Sequence, residues 1–163
     1  MKCTQKQIQI VKNWALSKGI KIGIRQNYTD YFFVSKVGNK VIKEIQIEKR
    51  DKSQKHLELF YLLHEVGHLI TFENQQKWRD ENLRYTVDFS VNEVEEETKD
   101  WFLVSTVVEE HDAWRNGKLL ARQLNLNLDE AAYEVEWADA IKEYILYAAQ
   151  KMSANLKEHK IYF

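Results

Sequence analysis

The chain has 163 residues, 44% of them hydrophobic and 30% charged, with a formal net charge of −1. This balance excludes a disordered chain, and the near-neutral charge excludes bulk attraction to nucleic acid or an anionic membrane. The single cysteine, Cys3, excludes an internal disulfide framework and a cysteine-based zinc cluster, so a metal here would need histidine and carboxylate ligands.

The first segment, MKCTQKQIQIVKNWALSKG, is charged throughout and lacks the apolar stretch of a signal peptide. No run approaches the roughly eighteen apolar residues of a membrane span, and a cytoplasmic location is expected. Ile8, Val11, Trp14 and Ala15 recur at helical spacing, which predicts a helix over 4–18 that stops at Gly19. Alternating or β-branched stretches follow at 20–26, 31–37 and 40–49, with a hairpin turn at Gly38-Asn39. They predict a small, mostly antiparallel, three-stranded sheet.

A second helix is predicted from about 51 to 72. Leu57, Tyr61, His64 and His68 line one face, while Leu59, Leu62, Leu63, Val66 and Ile70 cover the others. A helix apolar nearly all round is a buried one. Residues 73–98 are polar; RYTVDFS within them reads as a possible strand and VEEETKD as a solvated helix start. Helical periodicity resumes from about 99 to 124, with a break or cap expected at Asn116-Gly117. A last helix follows an Asp129 cap and runs to about 151, on a face of Tyr133, Trp137, Ala140, Ile141, Tyr144 and Ala148. The expected class is α+β: a three-stranded sheet packed on a helical core, in one domain spanning 1–163.

Within the second helix, His64-Glu65-Val66-Gly67-His68 fits the pattern H-E-x-x-H. Helix geometry puts the two histidines one turn apart on one face, where they can take adjacent corners of a tetrahedral zinc. The glutamate sits to the side, where it can act as the base toward a metal-activated water. Apolar flanks, FYLL before and LI after, place the imidazoles in a dry interior, where each needs a hydrogen-bond partner or a metal. The competing account is a buried helix with two satisfied core histidines.

A catalytic zinc needs a third protein ligand. The extended motif with a third histidine fails, because Thr71 and Asn74 stand at its glycine and histidine positions. Glu73 lies five residues after His68, about 140° round the helix, and points away. The candidates cluster in VVEEHDAW, 107–114. Glu110 shares a face with Leu103, Val107 and Trp114, a costly place for a carboxylate that is neither paired nor metal-bound. It leads as third ligand, ahead of Glu109 and His111, with a solvated acidic patch as the remaining account. Asp112 is either a partner orienting a ligand histidine or a surface carboxylate.

Strands leading into LLHEVGHLI, then a later helix bearing a glutamate followed by small and aromatic residues, resemble the zincin metallopeptidases. More narrowly, the chain is similar to the ImmA/IrrE-like group of phage and bacterial proteins. EEHDAWRNGKLLARQLNLNLDE resembles the E-x-E-A-W stretch of some relatives, with Glu110 and Asp112 on the acidic positions and Ala113-Trp114 on the A-W pair. Trp114 stands where asparagine is common in the group. The resemblance covers about 57–129. It implies a minimal zincin fold and one zinc held by His64, His68 and Glu110. It also implies peptide-bond hydrolysis with Glu65 as base, and a protein substrate, often a transcriptional repressor of a mobile element.

An oxyanion donor is also expected, with His111, Tyr85 and Tyr133 as candidates. The alternative function is a catalytically silent zincin-fold binding or regulatory module, against which the intact Glu65 argues. Nucleic-acid binding through Lys36, Lys40, Lys43, Lys49, Arg50, Lys52 and Lys55 is disfavoured by the net charge and by the division of these side chains between strand faces.

Overall fold

The computed structural model describes residues 2–26, 30–37, 40–82 and 96–158. The expected strand at RYTVDFS, the turn at Gly38-Asn39 and Tyr85 lie outside these residues.

Helix α1 (Lys2–Ser17) opens the chain and buries Ile8, Val11 and Ala15. It ends at Gly19, whose φ of +76° allows the chain to turn back so that the Ile20 N–H donates to the Ala15 carbonyl. Strands β1 (Lys21–Arg25), β2 (Tyr31–Val37) and β3 (Lys40–Glu48) follow.

The sheet is mixed rather than mostly antiparallel. Its order is β1-β3-β2, with β3 antiparallel to β2 and parallel to β1. The chain reverses twice between β1 and β3, which restores the original direction, and β3 then inserts between its predecessors. Asp30, just before β2, ties that strand's start to the end of β3, accepting the Glu48 N–H at 2.6 Å and pairing with Arg50 at 2.6 Å. Arg50 in turn lies over the Tyr61 ring at 4.3 Å.

After a single 3-10 turn (Lys52–Gln54) comes α2 (Lys55–Asn82), ten residues longer than predicted at its far end. Helix α3 (Glu96–Gln123) packs along it, and α4 (Glu130–Glu158) packs on α3. The sheet and α1 also pack on α2, and Leu59, Leu62, Leu63, Val66 and Leu69 of α2 sit in the core with Ile45, Ile47 and Trp114.

The expected break at Asn116-Gly117 is absent, and α3 runs through it. Gly117 is there for close approach: a Cβ on it would lie 2.4 Å from the Leu63 carbonyl oxygen. Gly67 of α2 makes the reciprocal contact, with a Cβ there only 1.8 Å from the Ala113 carbonyl oxygen. Two glycines, one per helix, let α2 and α3 touch backbone to backbone. Helix α3 ends on Asn125, with φ +52° and the Leu126 N–H donating to the Ala121 carbonyl. Asp129 caps α4 as expected, accepting the Ala132 N–H at 3.1 Å.

Candidate metal centre

Because Gly67 brings α3 against α2, the side chains flanking it converge. His64 and His68 project from α2 with ring centroids 4.6 Å apart. Glu110, one turn before Trp114 on α3, enters between them. Its Oε2 lies 3.1 Å from His64 Nε2 and its Oε1 lies 3.5 Å from His68 Nε2. Ligand atoms at 2.0–2.1 Å on a tetrahedral ion are separated by about 3.3–3.4 Å, so both contacts are close to the edge of such a polyhedron. His64, His68 and Glu110 form a group that could hold a metal ion, and it is the one such group among the described residues.

The surroundings fix this geometry. The indole of Trp114, fully buried, stacks on His64 at 4.5 Å with 17° between the planes. Tyr61 and Tyr133 meet the same indole edge-on, and the Tyr133 hydroxyl donates to the Trp114 carbonyl at 3.0 Å. The residue that departs from the resemblance's pattern is thus the wall that orients the first histidine.

Electrostatics follow from burial. Desolvation disfavours charge on both His64 and Glu110, but their contact outweighs it. For His64, the hydrogen bond to Glu110 and the nearby carboxylate of Glu65 raise the imidazole to about 9. For Glu110, hydrogen bonds from His64 and His68 lower the carboxyl to about 2. Glu65 is buried beside them, its Oε1 3.5 Å from His64 Nδ1, a nitrogen that is itself buried and without a hydrogen bond.

The other expected residues fall elsewhere. Glu109, on the neighbouring face of α3, approaches His68 Nδ1 at 4.0 Å, beyond direct hydrogen bonding. His111 is exposed, resting on Trp137 at 4.9 Å with Nδ1 3.6 Å from Asp112. Asp112 also pairs with Arg115 at 3.3 Å, which makes it a surface carboxylate. Glu73 pairs with Lys43 at 2.6 Å. Tyr133 is committed to the Trp114 carbonyl and cannot serve as a free donor.

One site residue was not expected. Tyr144 of α4 is half-buried and lies near enough to Glu110 for that carboxylate to act on its phenol. Burial, then the carboxylates of Glu110 and Glu65, push the phenol well above its ordinary value, so it keeps its proton. The sequence does carry a signal for it: a tyrosine on an apolar helix face needs a partner for its hydroxyl.

No protein-family model, curated protein or solved structure matches the chain. Its function must therefore be read from its own residues.

Proposed function

We propose that this protein is a zinc-dependent metallopeptidase that hydrolyses a peptide bond in a protein substrate. The observation that carries it is the Glu110 carboxylate set between two histidines one helical turn apart, with the buried Glu65 beside the first of them. His64, His68 and Glu110 would hold the ion, and two nitrogens with one carboxylate suit zinc. When bound, zinc polarises the scissile carbonyl and makes water acidic enough to be deprotonated near neutral pH.

The protein's own groups do the rest. Glu65 takes the proton from the attacking water and returns it to the leaving amine. Tyr144, protonated and next to Glu110, donates to the carbonyl oxygen as negative charge develops. Trp114 and the α2–α3 contact keep His64 in place throughout. The resemblance to the ImmA/IrrE-like zincins supports the same chemistry and directs attention to a transcriptional repressor as substrate.

The test has two stages. Metal content by mass spectrometry should give one zinc per wild-type chain and a large loss in Glu110→Ala, with a smaller loss in Glu109→Ala. Zinc-loaded wild type and Glu65→Gln are then incubated with a proteome-derived peptide library. New N-termini should appear with wild type and not with Glu65→Gln, which keeps its zinc. Cleavage by Glu65→Gln would remove the proposed mechanism.

A further inference from the structure

Between α3 and α4, directly beyond Glu110, lies a cavity of about 170 Å³. Its walls include Phe102, Leu103 and Val107 of α3 and Tyr144, Tyr147 and Ala148 of α4. Leu103, Val107 and Glu110 lie on one stripe of α3. At about 1.5 Å of rise per residue the cavity begins roughly 4–5 Å from the level of the ligand carboxylate and extends one turn further. Tyr144 links the two sites: its phenol is subject to the Glu110 carboxylate and its side chain lines the cavity, whose Val107 is one turn of α3 from Glu110. Of the two other hydroxyl-bearing residues on the wall, Thr106 donates to the Phe102 carbonyl at 3.0 Å and Tyr147 sits at the exposed edge. Ala148 is buried at the inner side, whereas Tyr147 and Phe102 are exposed at the edge. The cavity is therefore polar at the end next to the metal centre, apolar beyond, and open to solvent.

We infer that this cavity is a specificity pocket, which seats one large apolar side chain, leucine- to phenylalanine-sized, of the peptide whose carbonyl is presented at His64, His68 and Glu110. The inference rests on the peptidase function proposed above. Size supports it: an apolar cavity of about 150 Å³ accommodates a benzene ring, so one aromatic or branched aliphatic side chain fills this one and two do not. Spacing supports it as well. An extended peptide advances about 3.3 Å per residue, so a residue within one or two positions of the scissile bond reaches the cavity. A charged or amide side chain would lose its hydration against a wall that is mostly Phe102, Leu103, Val107 and Ala148, and no charged group lines the cavity to replace it.

The test uses direct binding of simple metal-directed probes to the zinc-loaded full chain. Acetohydroxamate has no side chain to seat and reports the metal centre alone; matched hydroxamates bearing isobutyl or benzyl groups report the pocket as well. Wild type should bind the benzyl and isobutyl compounds roughly ten- to a hundredfold more tightly than acetohydroxamate. Ala148→Phe, which fills the cavity, should bring that ratio close to one. Val107→Ala, which enlarges it, should favour benzyl over isobutyl and decides the matter should Ala148→Phe not fold. Equal affinities in wild type, or a benzyl advantage that survives Ala148→Phe, would overturn the pocket while leaving the peptidase proposal standing. Failure of acetohydroxamate itself to bind the zinc-loaded chain would mean no open metal position, and both would fall together.

Discussion

Glu110 is a buried carboxylate whose every close neighbour either carries or can carry a proton. Below its usual range in the fold, it contributes stability above about 4.5 that is lost as pH falls through about 2. His64, raised to about 9, contributes stability that is complete below 6.5 and is lost as pH rises through 9. The metal-free protein should accordingly be most stable between about pH 4.5 and 6.5, and it carries a proton on His64 at pH 7.5. On the proposed function zinc must displace that proton, so uptake at pH 7.5 should release close to one proton per chain. Calorimetry in two buffers of different ionisation enthalpy measures this, and no buffer dependence would contradict the His64–Glu110 pairing. Tyr144→Phe removes one donor and no ligand. Zinc content should be retained while turnover falls about 10²- to 10³-fold, the cost of a lost oxyanion donor, read by comparing kcat on one cleaved peptide. Glu110 is legible from periodicity because a carboxylate in line with leucine, valine and tryptophan is conspicuous. Tyr144 carries only a weaker signal, the need of its hydroxyl for a partner, because a tyrosine on the same kind of stripe otherwise looks like ordinary core.

At the scale of elements, the α2–α3 contact decides whether these side chains meet. Both glycines that permit it are plain in the sequence, yet Gly67 reads there as a variable motif position and Gly117 as a helix break. Helical glycine costs about 1 kcal/mol relative to alanine, and a close backbone approach is a reason to accept that cost. Local propensity cannot reveal the approach, since the partner carbonyls belong to another helix. Gly67→Ala tests it. The new methyl would sit 1.8 Å from the Ala113 carbonyl oxygen, so the helices must separate. Despite the propensity gain, a net loss of about 1–3 kcal/mol is expected, together with weaker zinc binding. Urea unfolding of the metal-free variant measures the first part, and unchanged or increased stability would refute it. The sheet shows the same limit from another side. Strand existence and nearly all strand boundaries are readable from alternation, but strand order is not, because it depends on where β3 inserts.

Taken whole, the molecule spends many of its charges on holding its parts together. Lys43 pairs with Glu73, Arg50 with Asp30 and Lys55 with Glu58, so these members of the basic stretch at 36–55 are engaged within the fold. No described helix is long and apolar enough to cross a membrane. The group that could hold a metal ion joins helices remote in the chain, His64 and Glu110 being 46 residues apart. An ion bound only by the folded state adds stability by mass action, about 2.7 kcal/mol at a hundredfold excess over its Kd. Thermal unfolding should therefore shift upward with free zinc in wild type and much less in Glu110→Ala, and equal shifts would place the ion elsewhere.

The 46-residue separation also bears on biosynthesis. The H-E-x-x-H helix leaves the ribosome complete, with Glu65 and both histidines in place, well before α3 can fold against it. Until then the nascent chain holds only part of a donor set and no walled cleft. On the proposed function, the capacity to cut other proteins arises only once α2, α3 and α4 have docked, which delays hydrolysis during synthesis.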